Sequence, residues 1–254
     1  MKIVRTIGEL ELHGDVGLVP TMGALHDGHR ALLQAAREES DTVVMSLFVN
    51  EAQFDQRADL AAYPRDEERD VAIAEAAGVD VVFAPSADEM YPEGFATWVE
   101  PQLTGAEGES RPGHFRAVAT VCLKLFNIVR PTRAYFGQKD AQQVAVLRQL
   151  IRDLNVPLEL RVLPTVRDDD GLALSSRNVH LSADDRERAL LLPRALGAAT
   201  RAPDAVGAAA AMLEALQPEY VEVVNLGNAK VLAAAVRVGD TRLIDNVLLE
   251  GALS

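Results

Sequence analysis

A chain of 254 residues, 48% apolar and 25% charged, can bury a large core, and the lack of any apolar run near about 20 residues excludes a membrane-spanning helix. The net charge of −13 argues against broad binding to nucleic acid or anionic membranes and leaves small molecules as the favoured partners. The single cysteine, Cys122, excludes an internal disulfide and reads as a buried thiol in a reducing cytoplasm.

The opening MKIVRTIGELELHG carries a charge at nearly every third position and lacks the apolar block of a signal peptide. VGLV (16–19) predicts a strand running through Pro20 and Gly23 into a turn, which delivers His26 and His29 to the start of an Ala/Leu-rich helix. TVVMSLFVN (42–50) predicts a strand covered on both faces, as in a parallel sheet. A polar loop, EAQFDQRADLAAYP, leads to a helix over about 65–77, stopped by Gly78, and to a third buried strand, VDVVFAP (79–85). FATWVE (95–100) reads as a short edge strand, and QLTGAEGESRPGHF (102–115) as a Gly-rich loop that stays mobile until something orders it.

An apolar helix over about 116–129, closed by Arg130 and Pro131, precedes the strand RAYFG (133–137). A helix over about 141–154 and the strand LELRVLP (158–164) follow. Alternating strands and helices imply a doubly wound parallel α/β sheet with ligands at the carboxyl ends of its strands, assigned to a first domain over 1–165. Beyond it, Ser182 caps a charged helix, Pro203 opens an Ala-rich one, and EYVEVVNL, VLAAAVRVG and TRLIDNVLLE read as three short strands. These suggest a smaller C-terminal α+β domain over 166–254.

A strand, a glycine turn and a helix N-terminus make an anion site, because unpaired backbone N–H groups and the helix dipole point at it. His26 and His29 there fit three roles: metal ligands, although two ligands are too few for a metal alone; a cap and a surface residue; or contacts to nucleotide phosphates. In GQKDAQQ (137–143), Lys139 is a compact cation suited to phosphate, while Asp140 equally fits a plain helix cap. GLALSSRN (171–178) offers hydroxyls and a guanidinium to phosphate oxygens, or simple turn chemistry. DDD (168–170) reads as a solvated turn. None of these spacings decides alone.

Together the motifs resemble the pantoate–β-alanine ligase family of the HxGH nucleotidyltransferase superfamily. The resemblance is carried by PTMGALHDGH (20–29), SLFVNEAQF (46–54), DLAAYPRD (59–66), RPGHF (111–115), RAYFGQKDAQQ (133–143) and TVRDDDGLALSSRN (165–178), in the family's order. It implies a Rossmann-like first domain, a C-terminal lid and a cytoplasmic homodimer. It also implies ATP-dependent joining of pantoate to β-alanine through an acyl adenylate, with Mg²⁺ bridging the ATP phosphates.

Carried over motif by motif, the resemblance gives ATP contacts to Met22, Gly23, Ala24, Leu25, His26, Asp27, Gly28 and His29. It adds Gly137, Gln138, Lys139, Asp140, Val166, Leu174, Ser175, Ser176 and Arg177, with His26, His29, Lys139 and Arg177 as the catalytic set. Gln53, Gln143, Asn50 and Tyr63 match the pantoate and β-alanine pocket, Glu107 and Arg111 its gate, and Asp70 is the candidate metal ligand. Glu51 stands where the family usually has proline, Leu174 where Met is common, and Ala117 where Gly is usual. Two other readings compete: a different adenylyltransferase of the superfamily, and a nucleotide-binding protein without turnover.

Overall fold

The structure, a computed structural model, describes residues 1–55, 57–102 and 105–253. Gln56 in the expected polar loop, Leu103 and Thr104 in the expected Gly-rich loop, and Ser254 lie outside the described residues. In chain order come β1 (Lys2–Val4), β2 (Val16–Thr21), α1 (Asp27–Glu39), β3 (Thr42–Leu47), α2 (Arg57–Ala62), α3 (Glu67–Ala76), β4 (Val81–Phe83) and α4 (Ala87–Met90). Then follow α5 (Ala106–Ser110), α6 (His114–Val129), β5 (Arg133–Gly137), α7 (Ala141–Asp153), β6 (Glu159–Leu163), α8 (Ala183–Ala189), α9 (Leu191–Ala199) and α10 (Ala205–Leu213). Three strands end the chain: β7 (Tyr220–Leu226), β8 (Ala229–Val238) and β9 (Thr241–Glu250).

Two compact units form, each from three stretches of chain. Met1–Gln102, Pro112–Phe136 and Val146–Leu163 make the first; Leu103–Arg111, Gly137–Ala145 and Pro164–Ser254 make the second. The second unit therefore takes in 103–111 and 137–145 as well as the C-terminal stretch expected from residue 166 onward.

The first unit holds a six-stranded parallel sheet in the order β1-β4-β3-β2-β5-β6. Val19, Val43, Met45 and Val82 are buried in one core with Leu33 and Ala36 of α1, which is why these strands read as continuous apolar runs. The order reverses at β2: β3 and β4 step outward on one side, and β5 and β6 return on the other. β2 extends past the expected Val19 to Thr21, including Pro20. Its pairing with β5 is confined to Gly17 and Leu18, so the N–H that Pro20 lacks would fall beyond that ladder.

The second unit packs α8, α9 and α10 against an antiparallel sheet ordered β7-β8-β9. Ala234 of β8 meets Ala195, Ala199 and Ala209 of the helices in one core, where small side chains allow close approach around Leu192, Leu196 and Leu232.

Several elements differ from the sequence reading. β1, three residues long, lies in a charged stretch with too short an apolar run to signal a strand. Residues 95–100 are not a strand: Phe95 and Trp98 pack on each other and on Tyr91, and the Val99 N–H donates to Thr120 Oγ1 of α6 instead of a ladder. Their aromatic spacing of three, not two, is the physical reason. The expected loop at 102–115 contains α5, and α2 forms within the expected polar loop. The charged helix capped by Ser182 ends at Ala189, and α9 starts anew. Asp204, rather than Pro203, opens α10 by accepting the Gly207 N–H.

Candidate functional site

In the first unit, β2 runs into a turn with two left-handed residues, Gly23 at φ 86° and Ala24 at φ 52°. Asp70 of α3 holds that turn: its two carboxylate oxygens accept the backbone N–H groups of Ala24 and Leu25, each at 2.8 Å. Asp70 is 1% exposed, and a Cβ on Gly23 would meet its Oδ2 at 2.8 Å, so the turn admits only glycine there. The candidate metal ligand is thus a clamp on the turn, with both oxygens engaged by backbone amides. Among the described residues no group of three or more His, Cys, Asp or Glu side chains could hold a metal.

His26 caps α1: its Nδ1 accepts the Gly28 N–H at 3.1 Å. His29 Nδ1 accepts the His26 N–H at 3.3 Å, completing a reciprocal capping box from two imidazoles. The rings lie 4.2 Å apart at 45°. An Nδ1 that accepts must be unprotonated, so each neutral ring carries its proton on Nε2. The cap and the phosphate readings are therefore compatible: one ring nitrogen shapes the helix start, and the other is a donor. Met22 is half-buried, Leu25 is a core residue and Asp27 is exposed.

A second cluster of the first unit centres on Asn50, which is buried. Its Nδ2 donates to Gln53 Oε1 at 2.9 Å and to Ala117 O at 3.4 Å, while its Oδ1 accepts from Tyr91 Oη at 3.0 Å. Asn50 thereby orients the Gln53 amide, whose backbone carbonyl lies 3.2 Å from His114 Nδ1. Tyr63 is buried edge-on against Phe54, with centroids 5.4 Å apart. The neighbouring Cys122 thiol is buried, which pushes its pKa up to about 12 and suits a structural residue.

The second unit takes up the chain at Gly137, the last residue of β5, and a 3-10 turn follows over Gln138–Asp140 before α7. Lys139 Nζ lies 3.5 Å from Asp140 Oδ1. Asn246 of β9 donates to the carbonyls of Gln138 and Lys139 at 3.0 and 2.8 Å. Residues 166–174 double back: Leu174 N–H donates to Val166 O at 3.0 Å, and Arg167 pairs with Asp245 of β9 at 2.6 and 3.0 Å. Ser175 caps the 3-10 turn Ser176–His180 by accepting the Arg177 N–H at 3.3 Å. Asn178 ties this turn back to Ala173 O, and the buried atoms Thr165 Oγ1 and Asn178 Oδ1 have no hydrogen-bond partner. Asp168 and Asp170 bind Arg186 at 2.5 and 2.8 Å, a latch in place of the expected solvated turn.

Glu107, expected in a mobile gate, is buried on α5 and bound by Arg242 at 2.6 and 3.1 Å and by Tyr220 Oη at 2.9 Å. Gln142 accepts the Glu107 N–H at 2.7 Å and donates to Gly105 O at 3.2 Å, beside the half-buried Gln143. Burial pushes the Tyr220 phenol well above its ordinary range, and the Glu107 carboxylate adds to the shift. Arg111 lies 3.9 Å from Glu107. Sequence reasoning missed Asp245, Asn246, Gln142 and Arg242. The polar D-N step inside the apolar run TRLIDNVLLE was the one available signal for the first two.

A family model described as pantoate-beta-alanine ligase matches residues 2–248. A pantothenate synthetase of Roseiflexus castenholzii is 50% identical over 277 residues, covering 98% of this chain and all of that one. That of Moorella thermoacetica is 51% identical, with 92% and 91% covered. Among solved structures, a pantothenate synthetase from Thermus thermophilus superposes with a TM-score of 0.91 at 45% identity, covering 99% and 100% of the two chains. A pantoate-beta-alanine ligase from Francisella tularensis, complexed with beta-gamma ATP and beta-alanine, gives 0.87 at 36% identity with both chains fully covered.

Proposed function

The chain belongs to the pantoate–β-alanine ligase family, and on that premise we propose that it joins (R)-pantoate to β-alanine through a pantoyl-adenylate intermediate. A pantoate carboxylate oxygen attacks the α-phosphorus of MgATP, the α–β bridging bond breaks, and pyrophosphate leaves. The neutral amine of β-alanine then attacks the acyl carbon; AMP leaves, a proton is lost and an amide forms. A carboxylate alone is a poor acyl donor, and the mixed anhydride supplies AMP as leaving group. The observation that carries the nucleotide reading is the imidazole pair at the start of α1, with two Nε2–H donors fixed by the cap beside a helix dipole.

In this reading His26 and His29 stabilise charge that develops on the phosphates, and no acid or base is needed while a carboxylate attacks. Lys139, Ser175, Ser176 and Arg177 supply further phosphate donors, and Met22 to Asp27, Gly137, Gln138, Asp140, Val166 and Leu174 make the remaining ATP contacts. Gln53 and Gln143 bind pantoate through their amides, with Asn50 orienting Gln53 and Tyr63 closing the pocket; β-alanine enters the same pocket. The described residues offer no acidic cage, which fits Mg²⁺ that arrives on ATP with its own waters; bound there, it neutralises phosphate charge. A cytoplasmic homodimer with residues 1–165 for nucleotide and pantoate and 166–254 as a lid completes the proposal.

Purified protein with MgATP, pantoate and β-alanine tests it by following AMP and pyrophosphate. AMP should appear only with both organic substrates, while labelled pyrophosphate should exchange into ATP with pantoate alone. Nucleotide binding with neither AMP nor exchange would refute the ligase reading. Exchange that depends on a phosphorylated acceptor instead of pantoate would support a different adenylyltransferase.

A further inference from the structure

We propose that Asp245 and Asn246, neighbours on β9, are a positioning pair that sets the nucleotide-binding backbone of the second unit. The inference rests on the reading of residues 137–140 and 166–177 as ATP contacts. Successive residues of a strand point to opposite faces, so one dipeptide reaches two segments. Asp245 turns one way and binds Arg167 through both guanidinium NH2 groups at 2.6 and 3.0 Å. Arg167 also donates to Gly171 O at 3.2 Å and bridges to Ala173, which fixes the doubled-back stretch that leads into Ser175 and Arg177. Asn246 turns the other way and places its amide hydrogens on the consecutive carbonyls of Gln138 and Lys139.

The peptide group is planar, so a carbonyl directed at Asn246 sends the N–H of the same peptide to the opposite side. Fixing the carbonyls of Gln138 and Lys139 therefore sets both following N–H groups: that of Asp140 closes the 3-10 turn on Gly137, and that of Lys139 is aimed away from β9 as a donor of an anion-binding turn. The chemistry of the pair is otherwise costly. Asp245 and Asn246 are 2% and 3% exposed in a strand of Leu, Ile and Val, where aliphatic side chains would pack without desolvation. Neither side chain can itself donate to a phosphate while it holds these partners. Both act through backbone and through Arg167.

Asn246→Ala and the milder Asn246→Ser, which keeps a single donor, test this beside Asp245→Asn in the intact enzyme. The ATP KM in pyrophosphate release should rise about tenfold in Asn246→Ala, the scale of one or two lost hydrogen bonds, and by less in Asn246→Ser. The β-alanine KM should stay unchanged, and Asp245→Asn should likewise raise the ATP KM. ATP Kd by calorimetry reads the same change whether or not turnover is observed. An inactive wild type that binds ATP would refute the ligase reading without touching this one. An ATP KM or Kd within twofold of wild type in the folded variants would overturn the pairing, as would a fall in Tm and kcat with ATP affinity unmoved.

Discussion

His29 Nδ1 accepts the backbone N–H of His26 at 3.3 Å, so the second imidazole is tied to the helix start by one ring nitrogen, and the proposed phosphate contact falls to the other, Nε2. Cap and donor can be separated by substitution. In His29→Asn the short amide oxygen can replace Nδ1 as acceptor, while no group replaces the Nε2–H. Stability should change by no more than about 1 kcal/mol, the value of a cap, while the rate of adenylate formation falls at least about 10²-fold. His29→Gln, which places its amide near the Nε2 position, should recover part of that loss. Full kcat in His29→Asn would remove the ring from phosphate chemistry.

Asp70 tests whether the turn itself must be held. Asp70→Asn exchanges one acceptor for an NH2 group pressed against a backbone N–H of Ala24 or Leu25. Loss of one charged hydrogen bond at a buried site should cost about 2 kcal/mol, a fall of roughly 4–8 °C in Tm for a chain of this size. The ATP KM should rise as the turn relaxes. Thermal melts of wild type and variant decide it; an unchanged Tm would mean that the turn holds without its clamp.

Arg242 holds α5 through Glu107, and both side chains are largely buried. Arg242→Ala would remove the two short hydrogen bonds that neutralise the buried Glu107 carboxylate and leave it the Tyr220 hydroxyl and Arg111 at 3.9 Å, with an expected loss of about 3 kcal/mol. The double variant Arg242→Met with Glu107→Leu removes both charges and should recover most of that stability. Urea titrations of the three proteins check this: a double variant no more stable than Arg242→Ala would show that the cost lies in packing rather than charge.

The parallel sheet was legible because apolar runs of strand length alternate with helices, and the turn before α1 read as an anion site from its strand, glycine and helix start, while the role of its two histidines stayed open until the motifs were taken together. What the sequence reading missed is long-range. Asn246 lies 107 residues from Lys139, and Arg242 lies 135 from Glu107, and no local pattern announces such pairs. Residues 95–100 misled for a local reason: aromatic content suggested a strand, while the spacing of Phe95 and Trp98 favours ring-on-ring packing, with Arg116 lying over the Trp98 ring at 5.0 Å. Asp70 entered as a candidate metal ligand through the family resemblance alone; its bonds to the Ala24 and Leu25 amides, 46 and 45 residues away, are what reveal the clamp.

The stretch that leads to Ser175 should loosen in acid, and the sign follows from Asp170. The backbone N–H of Leu172, then Arg186, hold its carboxyl below the usual carboxylate range. A carboxyl depressed in the folded state contributes stability that is fully present above its unfolded pKa, about 3.9, and is lost as pH falls through the lower folded value. Between pH 6 and 5 the contribution should be constant; from about pH 4 downward Tm should decline. In Asp170→Asn the decline should be shallower, because the side chain no longer binds a proton, while the neutral-pH Tm is lowered by loss of the Arg186 pairing. Melting curves from pH 6 to pH 3 read both. Parallel acid-limb slopes in the two proteins would place the acid sensitivity elsewhere, with Glu67, which Arg5 holds low on the first unit, the next residue to vary.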